Sequence, residues 1–227
     1  MTRRPDITPQ LLRTRVMAIL RSDDGSGLPA VARALAAGGI TCLEVTLTTP
    51  GALDALARIR DELGSGVAVG AGTVVTTGQA RDALSVGAEF LVAPNVDTAV
   101  IGDAAQGGTP CYPGAWTPTE MVTAWQAGAA AVKLFPASTG GPAHLRQLRA
   151  PLPQVPIVAV GGIGVAQARA FLDAGARAVG LGSPLLRGAD RDPTPDALDR
   201  LADRARTLLD AVNAPAPEAS SEEEADS

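Results

Sequence analysis

The chain of 227 residues contains very little lysine, histidine or aromatic side chain. Of its 19 basic residues, Lys133 alone is a lysine and all the others are arginines. His144 is the single histidine, and Phe, Trp and Tyr together make up 3% of the residues, so the core must be built from Ala, Val, Leu and Ile. The net charge is −5 and no run is rich in Lys or Arg, which argues against a nucleic-acid-binding protein.

Long apolar runs and cysteine clusters are also missing. No apolar run approaches the roughly 20 residues that cross a membrane, and no apolar segment follows Arg3 and Arg4 as it would in a secretory signal. Cys42 and Cys111 lie in separate apolar segments, without the partners of a zinc site or a CxxC pair. We therefore expect a cytoplasmic protein without membrane contact, whose cysteines are small buried side chains in a reducing compartment.

Short apolar runs alternate with amphipathic helical patterns along most of the chain. The runs predict eight strands, at Val16–Leu20, Cys42–Leu47, Val67–Gly70, Phe90–Ala93, Pro110–Tyr112, Ala130–Phe135, Ile157–Val160 and Ala178–Leu181. A helical pattern follows each strand, and several of these helices end in a glycine that can serve as a left-handed C-cap. Eight such units predict an α/β fold, a single (β/α)8 TIM barrel. An open doubly wound sheet is the alternative, but its dinucleotide-binding fingerprint is absent.

The barrel is predicted to be one domain over residues 1–212, with an extra helix over Thr8–Arg15 before the first strand. Residues 213–227 contain Ala-Pro-Ala-Pro followed by an acidic run, and they show no apolar periodicity. This composition predicts a disordered acidic tail. A tail that binds another protein is the alternative.

Lys133 is notable because it lies inside an apolar run on the sixth predicted strand. A lysine that only faces water could have been arginine, as every other basic residue here is. Burial lowers the pKa of a primary amine, and a neutral amine attacks carbonyl groups to form a Schiff base. Position and uniqueness alone leave a strand-end lysine or a buried ion pair as equal alternatives.

Glu44 is the second polar residue inside an apolar strand, between Leu43 and Val45. Because strand residues alternate sides, Glu44 and Lys133 are both expected to point into the barrel. A buried carboxyl group has a raised pKa that suits proton exchange near neutrality; a structural ion pair is the alternative. Arg21, at the end of the first strand, could pair with Glu44 or bind a substrate carboxylate through its planar guanidinium, and we favour the substrate.

Glycine-rich turns end the last two strands, at Gly161, Gly162 and Gly164 and at Gly182 before Ser183. In a TIM barrel these two loops commonly form a phosphate site, where backbone N–H groups and a helix N-terminus hold the anion. Glycines also make ordinary tight turns, so either turn alone would be weak evidence. Together, at these two strand ends, they predict phosphate binding.

With these residues in hand, the sequence resembles the 2-keto-3-deoxy-6-phosphogluconate (KDPG) aldolase family over about Val16 to Ala211. These are class I aldolases, some of which accept 4-hydroxy-2-oxoglutarate or the phosphogalactonate epimer. The motifs that carry the resemblance are Leu43-Glu44-Val45-Thr46-Leu47, Gly70-Ala71-Gly72-Thr73-Val74, Pro113-Gly114, Thr117-Pro118-Thr119-Glu120, Lys133-Leu134-Phe135-Pro136, Gly161-Gly162-Ile163 and Gly182-Ser183.

The resemblance implies a role for each of these positions. Lys133 matches the Schiff-base lysine, and Glu44 matches the general acid and base. Thr73 matches a residue that contacts bound pyruvate, and Pro94 and Phe135 match residues that line the pocket. The phosphate site corresponds to Gly161, Gly162 and Ser183. Some members bind the substrate carboxylate with an arginine where this chain has Thr48; others have threonine there and an arginine where Arg21 stands. This chain resembles the second pattern, and the carboxylate role therefore moves to Arg21, while Thr48 is still predicted to contact the substrate.

The resemblance further implies a homotrimer that acts on a small phosphorylated keto-deoxy sugar acid without a metal or other cofactor. The expected reaction is the reversible cleavage of KDPG to pyruvate and glyceraldehyde 3-phosphate. The phosphogalactonate epimer and 4-hydroxy-2-oxoglutarate remain alternative substrates. A phosphosugar isomerase would leave Lys133 without a role, and a barrel that only binds a phosphorylated ligand would show no turnover.

Overall fold

The computed structural model describes residues 4–214, which form a barrel of parallel strands surrounded by helices. The strands are β1 (Val16–Leu20), β2 (Cys42–Thr46), β3 (Ala68–Gly72), β4 (Leu91–Val92), β5 (Cys111–Tyr112), β6 (Gly114–Ala115), β7 (Val132–Leu134), β8 (Ile157–Val160) and β9 (Ala178–Leu181). The helices are α1 (Pro9–Thr14), α2 (Leu28–Ala37), α3 (Ala52–Leu63), α4 (Thr77–Ser85), α5 (Thr98–Gln106), α6 (Pro118–Ala127), α7 (Ala137–Arg149), α8 (Ala168–Asp173), α9 (Ser183–Leu186) and α10 (Pro195–Asn213).

The strands follow one another around a single sheet, in the order β5-β4-β3-β2-β1-β9-β8-β7-β6. Pro113 alone separates β5 from β6, so the two ends of this order meet and the strands enclose a barrel. Proline has no N–H for the strand ladder, which explains the break. Its carbonyl oxygen still accepts a hydrogen bond from the Lys133 N–H at 2.9 Å. The predicted eight-stranded TIM barrel is confirmed, with its fifth strand in two pieces.

The predicted elements differ from the observed ones mainly at their ends. The extra N-terminal helix is present as α1, and the fourth strand is shorter than predicted. The short helix α9, directly after β9, was not predicted. Helix α10 ends at Asn213, one residue inside the segment predicted to be a tail. The rest of that segment, 215–227, lies outside the described residues, so the domain boundary at 212 stays a prediction.

Alternation along the strands creates two separate apolar layers. In β2, Leu43 and Val45 face outward into the layer between strands and helices. Cys42, on the other side of the strand, belongs to the layer that fills the barrel lumen. The helices cover the outer layer with their apolar faces, and none of those described is long and apolar enough to span a bilayer.

The lumen is filled with side chains at the amino ends of the strands. Helix α1 lies below this end, and its Leu11 belongs to the same cluster as Met17, Phe90 and Tyr112. The Tyr112 hydroxyl accepts a hydrogen bond from the Thr8 N–H at 2.9 Å and lies 2.8 Å from the Thr8 hydroxyl. The barrel is therefore closed at its amino end, and the lumen can admit a ligand from the carboxyl ends of the strands.

Candidate active site

Lys133 and Glu44 both lie in the upper lumen of the barrel. Lys133 is the central residue of β7 and Glu44 the central residue of β2, and they are 6% and 1% exposed. The residues two positions earlier, Ala131 directly before β7 and Cys42 in β2, belong to the lumen cluster. Since side chains alternate along a strand, Lys133 and Glu44 point into the same space one layer higher. The structure thus brings together the two polar residues that the sequence places inside apolar strands.

One glycine of β3 makes room for the carboxyl group of Glu44, and a second glycine of the same strand makes room for the ring of Phe90. A Cβ atom added at Gly72 would lie 1.9 Å from Glu44 Oε1, and one added at Gly70 would lie 2.4 Å from the ring of Phe90. Both distances are far below van der Waals contact, so no side chain fits at either position. The Gly70-Ala71-Gly72 motif therefore has a steric reason, which the linear pattern of glycines does not reveal.

An open cavity of about 380 Å³ lies above these two side chains. Nine of the ten predicted site residues line it, namely Arg21, Glu44, Thr73, Pro94, Lys133, Phe135, Gly161, Gly162 and Ser183. Thr48 does not line the cavity, because it lies in the turn after β2, exposed, with its hydroxyl 3.4 Å from that of Thr46. Sequence reasoning missed the apolar wall residues Ile19 and Val160, and it also missed Asp190.

The surroundings favour the neutral form of both buried groups. Burial lowers the pKa of the Lys133 amine; the nearby Glu44 carboxylate opposes this shift, and the Arg21 charge adds to it. Burial also raises the pKa of Glu44, against the opposing effect of Lys133 and Arg21. A neutral amine is nucleophilic, and a carboxyl group with a raised pKa can both give and take a proton near neutrality.

The structure gives no support to an ion pair between Glu44 and Lys133. Within the described chain no salt bridge joins them, and Glu44 Oε2 is buried without a hydrogen-bond partner. The Lys133 Nζ atom lies over the ring of Phe135, 4.6 Å from its centroid. Both polar ends are therefore available to a bound molecule.

The two glycine turns meet at one side of the cavity. Gly161 and Gly162 have φ values of 99° and 71°, a region that favours glycine. A Cβ atom at Gly162 would lie 2.2 Å from the Ser138 hydroxyl. Among residues 4–214, the N–H groups of Gly162, Ile163 and Ser183 find no hydrogen-bond acceptor. Unpartnered N–H groups beside a cavity are suited to binding an anion.

Thr73 is held in an unusual conformation where the chain leaves β3. Its φ of 61° is in the left-handed region, which is uncommon for a residue other than glycine. The next residue, Val74, is fully buried, and its N–H donates a hydrogen bond to the Val92 oxygen at 3.0 Å. This anchor keeps Thr73 at the rim of the cavity. Backbone strain of this kind is concentrated at functional sites.

None of the described residues forms a group that could hold a metal ion. No three or more His, Cys, Asp and Glu side chains of the described chain converge on one point. Cys42 and Cys111 are both buried as free thiols, as the sequence predicts.

Residues 7–195 match the family model described as "Aldolase: KDPG and KHG aldolase". A probable 2-dehydro-3-deoxy-6-phosphogalactonate aldolase of Rhizobium meliloti (strain 1021) is 38% identical over 76% of this chain and 82% of that protein. A 2-dehydro-3-deoxy-phosphogluconate aldolase of Treponema pallidum (strain Nichols) is 40% identical over 67% and 73%, respectively.

A solved relative connects the fold to amine chemistry. The KDPG aldolase of Legionella pneumophila superposes with a TM-score of 0.76 at 26% identity, covering 88% of this chain and 98% of that one. Its structure is described as holding pyruvate captured at low pH as a covalent carbinolamine intermediate. A carbinolamine is the product of an amine adding to a carbonyl group.

Proposed function

This chain belongs to the KDPG and KHG aldolase family, whose members are carbon–carbon lyases, and from that premise we propose that it cleaves KDPG reversibly through a Schiff base on Lys133. The observation that carries the proposal is the position of Lys133. A buried amine whose pKa is lowered by its surroundings faces a cavity that also holds a buried carboxyl group and unpartnered N–H groups. Products would be pyruvate and glyceraldehyde 3-phosphate.

The first step joins the enzyme to the substrate. The neutral Lys133 Nζ adds to the C2 carbonyl carbon and forms a carbinolamine. Its hydroxyl group leaves as water with a proton supplied by Glu44, and an iminium ion remains. Glu44 suits this role because its raised pKa lets it carry a proton near neutrality.

The second step breaks the C3–C4 bond. Glu44, acting through a bound water, removes the proton from the C4 hydroxyl. The electron pair of the C3–C4 bond moves to the iminium nitrogen, so that an enamine remains on Lys133 and the aldehyde leaves. Protonation of the enamine at C3 and hydrolysis of the imine release pyruvate and restore the amine.

The two charged ends of the substrate would fix its carbon chain over Lys133. We assign the phosphate to the Gly161–Gly162 turn and Ser183, where N–H groups have no partner. We assign the carboxylate to Arg21, which lines the cavity and has no ion pair in the described chain. Thr73, Pro94 and Phe135 would then contact the pyruvate portion.

The choice of keto acid is the next question. Relatives of similar identity are named for the phosphogluconate and the phosphogalactonate substrate, and we keep the galactonate epimer and 4-hydroxy-2-oxoglutarate as alternative substrates for this chain. We expect KDPG to have the highest kcat/KM when the three are compared at equal enzyme concentration. A higher value for either alternative would reassign the substrate while leaving the lysine chemistry in place.

Reductive trapping tests the proposal directly, because the chain has a single lysine. Treatment with pyruvate and borohydride should add one reduced pyruvate, and peptide mapping should place it on Lys133. Lys133→Arg supplies the matched control and should remain unmodified. An adduct at the N-terminal amine, or none at all, would refute the Schiff base on Lys133.

We also propose a homotrimer in the cytoplasm that needs no metal or other cofactor. The family resemblance supports the oligomer, and the iminium ion supports the cofactor-free route because it supplies the electron sink that a class II aldolase takes from a metal. Sedimentation should give three times the chain mass. Activity should survive extensive chelation, whereas a loss that a divalent ion restores would favour a metal-dependent enzyme.

A further inference from the structure

Asp190 is a second carboxyl group on the wall of the active cavity. It lies in the loop between α9 and α10, lines the cavity together with Lys133 and Glu44, and is only 8% exposed. Within the described chain its carboxylate takes part in no hydrogen bond and no ion pair. It differs in this from Asp97, which caps a helix, and from Asp173 and Asp203, which pair with arginines.

The loop that carries Asp190 is fixed to the loop after β1. The Ser22 hydroxyl donates a hydrogen bond to the Asp190 backbone oxygen at 2.6 Å. The next residue, Arg191, forms an ion pair with Asp23, with 3.7 Å between Nε and Oδ2. These contacts fix the loop at the end of β1, and Asp190 lines the same cavity as Arg21 and Ser183. Its position follows from the fold and does not depend on a partner for its own side chain.

The Asp190 carboxylate reaches solvent in the open cavity, and a substrate that fills the cavity would displace that water and bring its own negative charge. The carboxylate needs a hydrogen-bond donor, and the unpartnered N–H groups of the cavity belong to the phosphate. The substrate has only its hydroxyl groups to offer. The C4 hydroxyl loses its proton in the reaction, whereas the C5 hydroxyl is unused and lies next to the phosphate-bearing carbon.

We propose that Asp190 accepts a hydrogen bond from the C5 hydroxyl of the substrate and thereby selects hydroxylated phosphosugar acids over 4-hydroxy-2-oxoglutarate. This inference rests on the proposed function, because it needs the substrate to extend from Lys133 to the phosphate turn. In 4-hydroxy-2-oxoglutarate the fifth carbon is a carboxylate, which would face Asp190 with the same charge. Asp190 therefore favours one substrate and disfavours the other through the same atoms.

The synthetic direction isolates the hydroxyl group. Pyruvate is condensed either with glyceraldehyde 3-phosphate, whose C2 hydroxyl becomes the C5 hydroxyl, or with 3-oxopropyl phosphate, which lacks it. For the wild type and for Asp190→Ala, the kcat/KM with glyceraldehyde 3-phosphate is divided by the kcat/KM with 3-oxopropyl phosphate. The wild-type ratio is then divided by the variant ratio, so that differences in aldehyde reactivity cancel. A hydrogen bond to a charged group predicts a value of about 10 to 100. A value near one would overturn the proposal.

Cleavage of 4-hydroxy-2-oxoglutarate supplies a readout of opposite sign. Asp190→Asn keeps the shape and an acceptor oxygen but removes the charge. Its kcat/KM should rise for 4-hydroxy-2-oxoglutarate and fall for KDPG. A residue that only supports the loop would lower both values, and such a parallel loss would also overturn the proposal.

Two controls separate this inference from the proposed function. Asp192→Ala removes an exposed carboxylate from the same loop, and it should leave both substrate ratios unchanged. Pyruvate trapping on Lys133 should proceed normally in the Asp190 variants, because pyruvate does not reach the fifth carbon. If the wild type itself fails to trap pyruvate, the proposed function fails. If trapping is normal and the ratios do not respond to Asp190, the selectivity proposal alone fails.

Discussion

The two ends of the barrel lumen are built on the same strands but from different kinds of side chain. In β2 the residue facing the lumen at the closed end is Cys42, and two positions on it is Glu44. The corresponding pair at β7 is Ala131, directly before the strand, and Lys133 within it. The closed end is an apolar layer in which the one hydroxyl of Tyr112 is fully bonded. The open end holds Glu44, Lys133 and Asp190, three nearly buried ionisable groups, none of which has an ion-pair partner in the described chain.

This difference indicates that the closed end contributes packing and the open end contributes reactive groups. Burial raises the pKa of the Cys42 thiol and of the Tyr112 phenol, so both stay neutral at physiological pH and contribute packing. The same burial at the open end moves the pKa of Glu44 up and that of Lys133 down, toward values at which proton transfer is useful. The closed end stabilises the barrel, and the open end gives up some stability for reactivity.

The largest expected effect comes from Lys133→Arg, which keeps a long basic side chain but removes the nucleophilic amine. Arginine is not deprotonated in proteins, so no Schiff base can form and we expect cleavage to fall by about 10⁴-fold or more. Circular dichroism should show an intact barrel. Adding Arg146→Lys, which places a lysine on the exposed face of α7, should not restore activity. If the single variant retained turnover, Lys133 would not be the nucleophile of the reaction.

Glu44→Gln should lower activity and raise stability, which would sharpen the contrast between the ends. Loss of general acid–base catalysis predicts a fall in kcat of about 10² to 10⁴-fold. The raised pKa means that folded Glu44 holds its proton more tightly than unfolded Glu44. Its contribution to stability is therefore complete below the unfolded pKa of about 4.3 and is lost as the pH rises through the folded value.

The stability part of this prediction is checked by urea unfolding at two pH values. At pH 7.5 Glu44→Gln should be more stable than the wild type, and at pH 4 the two should be nearly equal. Equal stability at both pH values would mean that burying this carboxyl group costs the fold nothing. The comparison between the two ends would then lose its energetic basis.

Gly72→Ala should damage the site through sterics alone. The added Cβ would overlap Glu44 Oε1, so either the carboxyl group or β3 must move. A shift of about 1 Å at a catalytic group predicts a loss of about 100-fold in kcat/KM. Gly66→Ala is the matched control, since a Cβ at Gly66 meets nothing within 4 Å and the turn precedes the same strand. Equal activity in both variants would show that Glu44 does not need the space that Gly72 leaves.

Much of this arrangement could be predicted from the sequence, for a geometric reason. In a parallel barrel every strand end reaches the same rim, so residues far apart in the chain, such as Glu44 and Lys133, can be placed together once the strands are counted. Space created by the absence of a side chain, as at Gly72, depends on which residue faces it across the sheet. Asp190 was missed because it follows β9 by a loop whose path is set by Ser22 and Asp23, and no periodicity reports such a contact.

Tyr112→Phe should change the closed end alone, and its effect is the smallest. The substitution removes the oxygen that accepts the Thr8 N–H and that lies beside the Thr8 hydroxyl, and it keeps the ring that packs against Phe90 at 5.7 Å between centroids. A buried N–H left without a partner predicts a loss of about 1–3 kcal/mol in the free energy of unfolding. At 25 °C, kcat/KM should stay within about twofold of the wild type, since distant sites act nearly independently.

Combining the substitution with Glu44→Gln tests this independence directly. The two changes in the free energy of unfolding should add, one negative and one positive at pH 7.5. A coupling energy well above about 0.5 kcal/mol would mean that the closed end of the barrel also sets the environment of Glu44.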